Sequence, residues 1–175
     1  MRSAAFIALG FTLLVTQAAL SALFSAHPLA PNLLLPVVIY VGVTHDVSIV
    51  RGAILSFVLG YMLDSFCGTA MGLHTFVLVA TFLVARGAGL SLFSRGAAFQ
   101  VVLTFAVGLF AGGTILALRA IFEKPAPFPA GDIANTARLL AIPALMTAVF
   151  APLIFVIVRK IDGAIVRRRE EAAPT

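Results

Sequence analysis

Six continuously apolar runs, separated by short polar links, leave this chain few ways to fold. In order they are Ala4–Phe24, Leu33–His45, Arg51–Cys67, Gly68–Ala85, Gly96–Leu118 and Ala137–Val158. A membrane barrel would instead show segments of about ten residues alternating polar and apolar. Within lipid the backbone must satisfy its own hydrogen bonds, so runs of this kind are helices. The charged fraction is 11%, against about 25% in a typical soluble domain, and too small to clothe a water-facing surface. Mean hydropathy is +1.10. The expected fold is an all-α integral membrane protein with about six transmembrane helices.

The runs differ in what they permit. Ala4–Phe24, behind Arg2, has about the ~20 residues a span requires. A basic start and small residues near Ser25 also fit a secretory signal, but the run exceeds a signal core and further spans follow at once. It is expected to stay as an uncleaved first helix. Leu33–His45 is only 13 residues long and contains Pro36, so it reads as a short tilted span or a re-entrant segment. Gly87–Ser94 reads as a loop, and alternating prolines in Lys124–Pro129 forbid a helix there. Pro143 and Pro152 predict kinks in the last run. Residues 1–160 are expected to form one polytopic membrane domain, and residues 161–175 a short basic cytoplasmic tail.

The formal charge of +5 and a pI near 10.4 look at first like a nucleic-acid signature. The basic residues, however, cluster beside apolar spans, where orientation explains them. With six spans and the amino terminus inside, Arg2, Arg51, Arg86, Arg95, Arg159, Lys160 and Arg167 to Arg169 are cytoplasmic, nine of the twelve basic residues. Arg119, Lys124 and Arg138 remain outside. Both termini are therefore expected in the cytoplasm, with no nucleic-acid partner. The basic tail would also suit anionic membrane lipid.

Within this frame, Gly52–His74 carries the most information. Gly52, Ser56, Gly60, Asp64, Gly68 and Gly72 recur at intervals of four, and positions four apart share a helix face. The first half is a ridge of small residues that lets another helix approach closely, from within the chain or from a partner. The ridge ends in Asp64, and Gly68 and Gly72 loosen the chain before a second helix. An intramembrane carboxylate invites a functional reading. Asp64, though, lies three residues from the end of its segment, about 5 Å at 1.5 Å per residue. There it can bond backbone amides at the glycine turn, pack against a partner protein, or couple to an ion or solute.

Catalytic and metal chemistry find little footing. His27, His45 and His74 match no ligand spacing, and neither an HExxH nor a GxSxG pattern occurs. The single cysteine, Cys67, excludes an internal disulfide. The expectation is a protein without enzymatic activity, metal or cofactor.

The stretch Pro31-Asn32-Leu33-Leu34-Leu35 through Tyr40, then His45–Arg51, then Gly60-Tyr61-Met62-Leu63-Asp64, Gly68 and Met71-Gly72-Leu73-His74 resembles the rod shape-determining protein MreD family. The resemblance covers roughly residues 31–85; the first, fifth and sixth runs match only as generic spans. It implies a non-catalytic subunit of the bacterial elongation machinery in the cytoplasmic membrane, supporting cell shape and lateral peptidoglycan synthesis. The implied partners are the MreC protein, the actin-like MreB filament, a SEDS-type glycosyltransferase and a class B penicillin-binding transpeptidase. The implied fold is a six-helix bundle like the substrate-binding subunits of energy-coupling-factor vitamin transporters. That likeness supplies the alternative function, uptake of a vitamin-like solute, for which Asp64, His74, Asn135 and Arg138 are the available outward polar groups. Ala4–Ala8 offers such a subunit a small-residue step for docking on a transporter.

Overall fold

The computed structural model describes residues 2–24, 31–44, 47–67, 71–87, 97–122 and 133–171. Over these residues the protein is all-helical: α1 (Arg2–Phe24), α2 (Leu34–Val43), α3 (Ile49–Cys67), α4 (Leu73–Gly87), α5 (Ala97–Phe122) and α6 (Ile133–Glu171). Stretches Ile49–Cys67, Ala98–Phe122 and Thr136–Ile165 are long and apolar enough to cross a membrane, while the apolar parts of α1, α2 and α4 are shorter. Large apolar side chains such as Phe57, Phe76 and Leu153 stand exposed on the outside of the bundle. Such a surface suits lipid and would be a liability in water.

Successive helices run in alternating directions, and packed glycines mark their crossings. A Cβ placed on Gly60 would meet Thr75 Cα, and one on Gly52 would meet the Phe82 ring, so α3 and α4 are antiparallel and closely packed. Gly108 faces Ala144 and Gly112 faces Leu140, which sets α5 against α6 in the same way. Close backbone approach through small residues is the usual basis of helix association in lipid, where apolar burial provides little drive.

The second apolar run holds the centre. All ten residues of α2 are buried, and the helix packs against each of the other five. At about 15 Å it is half the hydrocarbon thickness of about 30 Å, and its neighbours enclose it on every side, so it is not a lipid-facing tilted helix; it is the core. Pro36 falls in its first turn, where a missing N–H leaves no helix bond unmade. Neighbouring helices complete its ends. Leu33 N–H donates to Gln17 Oε1 of α1 (3.1 Å), Asn32 N–H donates to Thr147 Oγ1 of α6 (2.9 Å), and Asn32 Oδ1 accepts Leu34 N–H (3.2 Å). At the other end Arg86 of α4 donates to the carbonyls of Thr44 (2.7 Å) and Gly42 (3.4 Å).

One expectation needs correction at α6. The helix continues through Pro143 and Pro152 to Glu171, past the expected end of the run at Val158. The reason is Asp162, which is buried and accepts a hydrogen bond from Tyr40 Oη of α2 at 3.2 Å. Tyr40 also lies between Phe6 and Phe155, with ring centroids 6.4 and 6.3 Å away. The start of α1, the end of α2 and the last third of α6 thus share one end of the bundle. At the other boundaries, α4 begins at Leu73 rather than Gly68, because Gly72 has φ +99°, and α5 extends to Phe122.

Candidate functional site

The α3–α4 hairpin is organised by one side chain. Asp64 is 1% exposed although it lies in the last turn of α3. Its Oδ1 accepts His74 N–H at 2.8 Å and meets His74 Nδ1 at 3.0 Å. Its Oδ2 accepts Gly72 N–H at 3.0 Å, Thr75 N–H at 3.1 Å and the Thr75 hydroxyl at 2.7 Å. A carboxylate offers about four lone-pair sites, and these five contacts saturate them.

The chemistry follows from what a helix start lacks. The first four N–H groups of a helix have no partner within it, and an acidic side chain satisfies them best because it also faces the positive end of the helix dipole. In α4 the acceptor comes from the preceding helix, eight to eleven residues earlier in the chain. This ties the end of α3 to the beginning of α4 as well as capping it. An ionised carboxylate only accepts, so the His74 proton in this pair sits on Nδ1.

The glycines make the cap geometrically possible, each for its own reason. Gly60 is one turn before Asp64, and a Cβ there would run into Thr75 Cα. Only a glycine lets α4 come close enough for Thr75 to reach the carboxylate. Gly72 has open space around it, and its requirement is the left-handed φ. Gly52 accommodates the Phe82 ring, and the buried Ser56 hydroxyl donates back to Gly52 O at 2.9 Å. The ridge Gly52, Ser56, Gly60, Asp64 is thus covered from within the chain by α4, so its observed role is internal packing. Gly68 lies outside the described residues.

The structure joins Asp64 to His74 but leaves the other two members of the outward polar set apart. Arg138 is exposed on α6 with no ion pair to Asp64, and the Asn135 side chain lies outside the described residues, as do His27, His45 and Asp46. Among the described residues no three His, Cys, Asp or Glu side chains converge as a metal site. Cys67 is exposed at the end of α3. Sequence reasoning missed Thr75, which gives Asp64 two hydrogen bonds, as well as Phe82, Arg86 and the Tyr40–Asp162 pair. Thr75 had one visible signal, a hydroxyl just after Gly-Leu-His at a helix start.

No protein-family model, curated protein or solved structure matches the chain.

Proposed function

We propose that this protein is a non-catalytic membrane subunit of the bacterial rod complex, acting in cell-shape maintenance and lateral peptidoglycan synthesis through contact with an MreC-type protein. The observation that carries the reading is the Asp64 clamp. Gly60, Asp64, Gly72 and His74, which bear much of the resemblance to the MreD family, all belong to one interlocked hairpin. These four of the resembling positions therefore form a single physical unit.

The same reading places the protein in the cytoplasmic membrane with six passes, α2 being a short second one. Arg86 reaches the end of α2, near the start of α1 and the last third of α6. The positive-inside preference puts that end, with Arg51, Arg159 and Lys160, in the cytoplasm. A saturated carboxylate suits a scaffold, whose task is to hold a shape that wall synthases, an MreB filament or MreC can read.

The test is complementation. In a rod-shaped bacterium depleted of its own MreD, this chain restores rods and co-purifies with MreC. Round cells containing full-length, membrane-inserted protein would overturn the reading.

A further inference from the structure

The two prolines of α6 leave their backbone partners in different surroundings. A proline has no N–H, so the carbonyl four residues before it loses its helix bond. For Pro143 that carbonyl belongs to Leu139, and both residues line an open cleft of about 310 Å³ between α5 and α6. For Pro152 it belongs to Ala148, which is fully buried. A buried carbonyl requires a partner, and in membrane helices a neighbouring helix, a hydroxyl or an ordered water supplies it.

The α5–α6 register shows what stands opposite. Gly112 meets Leu140 and Gly108 meets Ala144, so one further step of four along each antiparallel helix brings Thr104 to Ala148. Thr104 is fully buried as well, and its Oγ1 has no hydrogen-bond partner among the described residues. The buried hydroxyls of Ser56 and Thr147 behave differently, donating to the carbonyls one turn before them at 2.9 and 2.7 Å. A donor and an acceptor thus share one crossing without reaching each other. Gln100, half-buried, lies one turn before Thr104 on the same helix face.

We propose that the Thr104–Ala148 crossing is a binding site for one buried water molecule. The water accepts from the Thr104 hydroxyl and donates to the Ala148 carbonyl, with the Gln100 carboxamide as its third ligand. About three polar partners is the usual complement of an internal water. Thr81 of α4 is equally buried and without a partner among the described residues, but no stripped carbonyl accompanies it. Helix α4 contains no proline, and the carbonyl that Pro36 leaves in the neighbouring α2, that of Asn32, accepts Leu35 N–H at 3.3 Å. The α5–α6 seam is therefore dry where Gly108 meets Ala144 and hydrated one turn further on.

The experiment is solid-state NMR of the full chain in lipid bilayers, reading magnetisation transfer from water protons to the carbonyl carbon of Ala148. The intact protein is expected to show that transfer. Thr104→Val keeps the side-chain shape, abolishes the transfer and lowers the melting point in detergent by about 2–4 °C. Pro152→Ala restores the missing N–H and abolishes the transfer as well, and in that background Thr104→Val costs nothing further. Thr81→Val leaves the transfer unchanged. No transfer to Ala148 in the intact protein would overturn the proposal with no variant needed, and so would transfer that survives Thr104→Val or disappears with Thr81→Val. A Thr104→Val protein that melts above the native one overturns it too, because removing a hydroxyl that has no partner stabilises. An equal cost of Thr104→Val with and without Pro152 does the same, since the hydroxyl would then not serve the Ala148 carbonyl.

Discussion

At the scale of single residues, Asp64 and the glycines around it make separable demands. Removing the carboxylate strips the start of α4 of its acceptor while Thr75 and His74 stay buried or nearly so. Capping residues are worth about 1 kcal/mol and hydrogen bonds to a charged group about 1.5–3. Asp64→Ala should therefore cost about 3 kcal/mol, and Asp64→Asn about half, read as thermal unfolding in detergent. An Asn variant that melts with the native protein would remove the clamp from the account. The glycines should rank by what their Cβ meets. Gly60→Ala meets backbone, at Thr75 Cα, whereas Gly52→Ala meets the tip of the buried Phe82 ring, a side chain that yields more readily than backbone. Overpacking costs about 1–3 kcal/mol, and Gly60→Ala belongs at the upper end with Gly52→Ala below it. Equal melting points for the two would mean that α3 and α4 are free to move apart.

At the scale of helices, the Arg86 contact shows how a short helix is held. Its guanidinium donates to the last carbonyls of α2, groups a helix end otherwise leaves to solvent. Arg86→Ala should fray that end by about 1–2 kcal/mol, measured as faster amide exchange at residues 41–44 with little change in α3; unchanged exchange there would count against the contact. Helix content and most boundaries were legible from the apolar runs, because lipid imposes a period-free length rule that sequence displays directly. The Asp64 turn was legible too, as one of its expected roles, since glycines and a carboxylate at intervals of four name their own geometry. The centrality of α2 was not. A ten-residue apolar helix looks the same in sequence whether lipid or protein surrounds it. Nor was the length of α6 legible, because Asp162 is fixed by Tyr40, 122 positions away, and neither residue carries a local pattern that points to the other.

At the scale of the whole molecule, alternating helix directions make a topological prediction. With Cys67 replaced by Ser, single cysteines at the exposed positions Ser48 and Ser65, one at each end of α3, should react with an impermeant thiol reagent from opposite sides of the membrane. Ser65→Cys is expected to label from outside. Labelling of both from one side would exclude α3 as a span.

The enclosed position of α2 has a consequence for how the protein is made. A membrane can receive long apolar helices one at a time as they leave the ribosome, but it has little hold on one that reaches halfway across. What fixes α2 is its neighbours, and two of its end contacts, through Thr147 and Asp162, belong to α6, synthesised after the other five helices. The centre of the molecule is therefore settled only after α6 exists. A nascent chain stopped before α6 has every other wall of the core in place and its keystone still loose.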